Sequence, residues 1–161
     1  VFRRFGDSFA SGIPVPADGE AHPIMAMQSK VSMSLDPVGF NRIIAYPDNL
    51  NVFVQGGPVR LQWWRGGAVS GSDFVPPTTL STLEYTTGSF LYGVGSGRYP
   101  VIQWFAGSGS HEYHLFEHLE SNGEGVLLTA AGLPQPHVIT ATCLTNEPAS
   151  CSVAVTHAEL R

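Results

Sequence analysis

Apolar and polar residues alternate along most of this chain, and Gly or Pro interrupts the alternation every few residues. Successive side chains of a β-strand point to opposite sides, so this alternation predicts strands that bury one face. The clearest example is the stretch 59–64, in which Trp63 is predicted to point into a core and Trp64 away from it. Further strands are predicted at residues 25–35, 42–46, 50–54, 82–86, 90–94, 101–105, 111–119, 125–130, 138–143 and 151–157.

The composition agrees with an all-β architecture. The 18 Gly and 12 Pro leave few stretches long enough for a helix, because both residue types interrupt helices. The 161 residues contain no internal repeat and no shift in composition that would mark a linker. We therefore predict a single domain spanning 1–161, with the fold of an antiparallel β-sandwich of jelly-roll type.

Charge and hydropathy argue against two classes of partner, nucleic acids and membranes. The formal net charge is −5, and apart from Arg3-Arg4 the basic residues are scattered singly. Without a basic stripe to neutralise successive phosphates, we predict no strong nucleic-acid contact from the ordered region. No apolar run approaches the ~20 residues that a membrane helix requires, so we predict no membrane partner.

Motifs of common enzymes are absent from the sequence. A phosphate-binding P-loop carries a lysine after its glycines, but the single lysine, Lys30, lies inside a predicted strand. The glycine-rich stretch 93–97 has Arg98 where a dinucleotide loop has its third glycine, and no serine is flanked by the glycines of a nucleophile elbow. We therefore predict that the protein is not an enzyme.

The densest group of titratable side chains lies in residues 111–120, which hold three histidines and three glutamates. As a helix this segment would form a histidine-lined zinc face, but the surrounding turns and strands favour a strand. The strand alternation places four of the side chains on one face: Glu112, His114, His118 and Glu120. We predict that they form a subunit interface that senses pH between about 5 and 8; the alternative is a polar outer face that keeps a sheet edge soluble.

The same segment is similar to the cupin metal-binding motif, in which histidines and a glutamate of one strand join a histidine after a later turn. That resemblance would assign four ligands of a divalent metal: His111, His114, Glu117 and His137. Under this alternative the protein is a cupin-like metalloenzyme. The preferred interpretation predicts no cofactor.

Tryptophan residues suggest a third function. Trp64 lies beside Arg65, and an outward indole next to an arginine can stack on a sugar ring. A carbohydrate-binding β-sandwich module is therefore a further alternative, with Trp64 as the stacking residue. An outward aromatic side chain is also common at interfaces between subunits.

The two cysteines, Cys143 and Cys151, flank a turn sequence between two predicted strands. If these strands pair as a hairpin, the two β-carbons approach within the ~4 Å that a disulfide requires. Free buried cysteines are the other interpretation, and the sequence leaves both open.

Two stretches resemble the jelly-roll shell domain in coat proteins of small icosahedral RNA viruses of the nodavirus-like and tombusvirus-like group. Residues 30–47 contain a strand, a glycine turn, a second strand and a closing proline, and residues 112–119 are similar to a late shell strand with its aromatic and acidic residues. The resemblance implies a structural capsid protein that self-assembles into an icosahedral shell without catalysis. Its partners would be copies of itself, its location the virion, and loops such as 66–77 would meet neighbouring subunits.

Overall fold

The computed structural model describes residues 2–32, 41, 43–88, 90–95, 98, 100–115, 119, 123 and 125–160, with the backbone alone for 2–6 and 160. Within these residues the strands are β1 Phe2–Val15, β2 His22–Ser29, β3 Ile44–Gly56, β4 Val59–Arg65, β5 Ala68–Ser70, β6 Leu83–Thr87, β7 Leu91–Gly93, β8 Ile102–Ala106, β9 Gly109–His114, β10 His137–Cys143 and β11 Ala149–Leu160. No helix in this part of the chain is long and apolar enough to cross a membrane.

Two antiparallel sheets form a sandwich. Strands β1, β11, β3 and β9 pair in that order in a four-stranded sheet, and β6, β2, β10, β4 and β8 pair in that order in a five-stranded sheet. From β1 to β4, and again from β8 to β11, consecutive strands alternate between the two sheets. These eight strands have the arrangement of a jelly roll, so the predicted fold class is confirmed.

Inward side chains of both sheets form the core. On β3, Leu50 and Val52 are buried while Asn51 between them is exposed, which is the alternation of a strand with one buried face. On β4, Trp63 is fully buried and Trp64 is half-buried on the other face, as predicted. The strands predicted at 82–86, 90–94, 101–105, 138–143 and 151–157 each coincide with an observed strand to within a few residues.

The outer face of the five-stranded sheet is partly covered by the chain between β4 and β8. Phe90 packs there with Ala26 and Val138, and Trp64 and Tyr92 lie against them. This cover explains the run of four buried residues in β2, because a strand with both faces covered loses the alternation of inside and outside.

The first strand of the sequence prediction is too long. Met25 and Met27 are buried as expected, but β2 ends at Ser29. Val31, which the alternation placed on the core face, is 44% exposed. Residues 33–35 lie outside the described part of the chain.

Strand β3 runs through Pro47, where the sequence analysis ended one strand and began another after a break. Pro47 has no N–H to donate, and it lies opposite His157, next to a shift of register in β11 between Val155 and His157. A β-bulge tolerates proline because the ladder of hydrogen bonds is already interrupted there. The Asn49 N–H donates to Thr156 Oγ1 at 3.1 Å instead of to a backbone carbonyl.

Of the two interpretations of Cys143 and Cys151, the structure shows free buried cysteines and not a hairpin disulfide. Strand β10 belongs to the five-stranded sheet and β11 to the four-stranded sheet, so the turn between them crosses from one layer to the other. Both cysteines are free and buried. Burial raises the pKa of the Cys151 thiol to about 11, and the nearby Cys143 contributes to the same shift.

Two further expectations were wrong. Strand β1 was not predicted, because its described residues reverse the usual pattern: Ser8 is buried and Phe9 is 53% exposed. The strand predicted at 125–130 is absent, and Val126 and Leu128 make isolated bridges there instead.

Candidate functional site

Strand β9 carries the first part of the predicted histidine and glutamate face. It is the edge strand of the four-stranded sheet, and its residues alternate between half-buried and exposed. Glu112 and His114 point outward beside the exposed residues of β3, and His114 Nδ1 lies 2.8 Å from Asn49 Oδ1. The predicted sharing of one face by Glu112 and His114 is therefore confirmed. Their role as a subunit contact stays a prediction.

The observed strand ends at His114, and the described residues Leu115 and Leu119 do not continue it. The Leu115 N–H donates to Asp48 O at 2.7 Å, and the Leu119 N–H donates to Leu115 O at 3.0 Å, which is the spacing of a helical turn. The remaining predicted members of the face, His118 and Glu120, lie outside the described residues, as does Glu117 of the cupin-like ligand set.

The four residues of the cupin-like metal set do not come together where the structure describes them. His111 points to the inner side of β9, where its Nε2–H donates to Gly107 O at 2.7 Å, whereas His114 points outward. His137 lies in the other sheet. Among the described residues, no group of three or more His, Cys, Asp or Glu side chains is placed to hold a metal ion.

His137 is a core residue. It is 1% exposed, and its Nδ1 accepts a hydrogen bond of 3.0 Å from the indole Nε1–H of Trp63. Burial lowers the pKa of His137 to about 3, and the positive charge of Arg65 contributes to the same shift. The side chain is therefore a neutral imidazole at ordinary pH, with its proton on Nε2.

Trp64 is held beneath the covering segment. Its Nε1–H donates to Thr140 Oγ1 at 3.0 Å, and the ring packs with the cluster around Phe90. Tyr92 fixes the cover by donating from its hydroxyl to Gly66 O at 2.7 Å, and burial raises the pKa of Tyr92 to about 12. An indole with its N–H already bonded and part of its ring covered presents little free surface for stacking.

A buried polar cluster that the sequence analysis missed lies at the end of β11. His157 Nε2 is 3.1 Å from Glu159 Oε1 and 3.2 Å from Ser81 Oγ, and all three residues are 1% exposed or less. The Thr82 N–H also donates to Glu159 Oε1, at 2.7 Å. A period of two from Val155 puts His157 and Glu159 on the core face, so the alternation contained a signal for this cluster.

This cluster resembles a hydrolase triad only in residue type. In a triad, the serine and the carboxylate bond to different nitrogens of the imidazole, and the serine is open to substrate. Here Ser81 and Glu159 approach the same nitrogen of His157, and the group is closed to solvent. Its hydrogen bonds instead connect the end of β11 to the segment before β6, which indicates a structural role.

Several large apolar side chains lie on the surface. Leu91 is 70% exposed on β7, Phe105 is 65% exposed on the outer face of β8, and Leu133 is 62% exposed in the segment before β10. They are distant in sequence and belong to different elements. Exposed apolar residues that are scattered singly are ordinary, so these positions alone do not define a contact surface.

Comparison of the chain with protein-family models, with curated proteins and with solved structures found no match.

Proposed function

We propose that this chain is a structural capsid protein or capsid domain that self-assembles into an icosahedral shell and has its place in the virion. The observation that carries the proposal is the jelly-roll order of the strands. The exposed apolar side chains on separate elements are the positions where contacts with neighbouring subunits would form. Jelly rolls build viral capsids, lectins and cupins, so the fold alone does not choose among them. A shell subunit must contact neighbours around several symmetry axes, which favours several small apolar contacts over one pocket.

The placement of the predicted ligands gives less support to the cupin alternative. Three inward-pointing side chains are needed to hold a metal and leave a position open for substrate. His111 and His114 point to opposite faces of one sheet, and His137 accepts a hydrogen bond from Trp63 in the other. The capsid proposal does not require side chains to converge on a metal, because a shell subunit acts by associating with copies of itself.

The mass of the native particle tests this proposal. We expect light scattering coupled to size exclusion, with electron microscopy of the same peak, to show closed particles or large symmetric oligomers at about pH 5 or about pH 7. Leu91→Asp and Phe105→Asp place a charge in two exposed apolar positions, and each should shift the population towards small species.

Phe105→Leu is the matched control, because it keeps an apolar side chain at the same position and should still assemble. A wild-type chain that stays monomeric or dimeric at both pH values would contradict the proposal. Particles whose mass is unchanged by both aspartate substitutions would also contradict it.

A further inference from the structure

A groove of about 500 Å³ crosses the outer face of the four-stranded sheet. Its floor is formed by the small residues Ser152 and Ala154 on the central strand β11. Its walls include two exposed phenyl rings, Phe9 on β1 and Phe53 on β3, which are 53% and 44% exposed. Neighbouring strands are about 4.8 Å apart, so the two phenylalanines stand on either side of the floor with about 10 Å between their strands.

The register places polar side chains beside these rings. Phe9 lies opposite Ala154, Ala154 opposite Asn51, and Asn51 opposite Glu112, so one row across the sheet runs from an aromatic ring to an amide and a carboxylate. The adjacent row contains Ser152, Phe53 and Ser110. The groove therefore combines flat apolar surfaces with groups that donate and accept hydrogen bonds.

These polar groups are available to a ligand. Within the described part of the chain, the side chains of Asn51, Ser110 and Glu112 make no hydrogen bond or ion pair, although all three line the groove. Ser152 Oγ accepts a bond of 2.8 Å from the Gly12 N–H, which leaves its hydroxyl proton free to donate. An amide, a carboxylate and two hydroxyls beside phenyl rings match a molecule that has many hydroxyl groups and an apolar face.

The charge of the groove restricts the class of ligand that it can bind. Among its described lining residues Glu112 is the acidic one, and there is no lysine or arginine. The ionisable groups that face Glu112 or lie in the next row are His111 and His114 on its own strand and Asp7 on β1. A groove with a carboxylate and no fixed positive charge disfavours sialylated or sulfated sugars.

We propose that this groove is a binding site for neutral oligosaccharides, with Phe9 and Phe53 stacking on pyranose faces and Asn51, Ser110 and Glu112 binding hydroxyls. The site differs from the Trp64 site that the sequence suggested, and it lies on the opposite sheet. It also assigns Glu112 to ligand binding rather than to a subunit interface. The inference goes beyond assembly and does not rest on the capsid proposal.

The test is a titration of the folded protein with sugars of known charge. The probes are cellotetraose, chitotriose and lactose as neutral sugars and 3′-sialyllactose as the acidic counterpart of lactose. We expect at least one neutral probe, at concentrations up to about 10 mM, to show saturable binding in isothermal titration calorimetry, which applies to single subunits and to assembled particles alike. Adding the sialic acid to lactose should weaken any binding.

Substitutions then locate the site. Phe9→Ala and Phe53→Ala should each weaken binding of the neutral probe about tenfold, because each removes a stacking surface. Leu144→Ala is the control, since it removes an apolar side chain about as exposed as Phe53 from outside the groove and should leave the affinity unchanged. Circular dichroism checks that the variants remain folded.

Three results would overturn the proposal. The first is a wild-type protein that binds none of the neutral probes or binds only 3′-sialyllactose. The second is equal loss of binding in the Leu144→Ala control. The third is a change in particle mass in Phe9→Ala and Phe53→Ala without any sugar binding by the wild type, which would identify the groove as a contact between copies of this chain.

Discussion

Acidification should destabilise this protein through one buried histidine. The folded-state pKa of His137 is about 3, against 6.5 for the same side chain in the unfolded chain. Between these two values the unfolded chain binds a proton that the folded protein does not, so the free energy of unfolding falls as the pH falls through this window. The slope is about 1.4 kcal/mol per pH unit, which gives a loss of about 2 kcal/mol from His137 between about pH 7 and about pH 5.

The substitution His137→Asn isolates this contribution. The asparagine amide oxygen can accept the indole N–H of Trp63 in place of the imidazole nitrogen, but asparagine does not titrate. Urea unfolding at about pH 5, 6 and 7 should show that the variant loses about 2 kcal/mol less than the wild type over this range. The measured quantity is a difference between pH values, so a lower overall stability of the variant does not obscure it.

Ile139→Val is the control for this experiment. Ile139 is buried on the same strand, and its substitution removes one methylene group without touching a titratable residue. We expect lower stability with the pH dependence of the wild type. If His137→Asn and the wild type instead have the same pH dependence, the reasoning from the burial of His137 is refuted.

Three further predictions concern the core and the turns. Trp63→Ala should lower the free energy of unfolding by about 3–5 kcal/mol in urea denaturation, because it leaves a cavity where a fully buried indole packed; a loss below about 1 kcal/mol would contradict the packing described. Gly56→Ala should lower Tm much more than Gly19→Ala: both glycines have positive φ, but a Cβ at Gly56 would collide with the Pro148 carbonyl oxygen while Gly19 faces open space, so equal effects would argue against that contact. The two cysteine thiols should react with a thiol reagent at neutral pH only as fast as the chain unfolds, since both are buried and the pKa of Cys151 is raised to about 11; rapid reaction of the native protein would exclude this.

The alternation of apolar and polar residues predicted the strands whose apolar side chains face the core and whose polar side chains face outward. Trp63 and Trp64 were placed on the correct faces because β4 alternates between a core and an outer surface. Strand β1 was missed because Ser8 is buried and Phe9 is exposed, which is the opposite of what hydrophobicity favours. The exposed ring of Phe9 is also a wall of the groove, so the failure of the pattern coincides with the candidate ligand site.

Partners that are distant in sequence could not be predicted in the same way. The shared face of Glu112 and His114 follows from the period of a strand, but their neighbours on β3 depend on which strands pair and in which register. The groove needs residues from β1, β3, β9 and β11 together. The state of Cys143 and Cys151 stayed open in the sequence for the same reason, because a short turn can join two strands of one sheet or cross between two layers.

The central place of β11 has a consequence for biosynthesis. Strands β1 and β3 do not pair with each other, because β11 lies between them. While a ribosome is still adding residues before 149, both strands therefore have unpaired edges and their apolar faces are only partly covered. Unpaired edges of this kind allow nascent chains to associate with one another, so the pairing of residues 149–160 with both strands is the step that removes this exposed edge between β1 and β3.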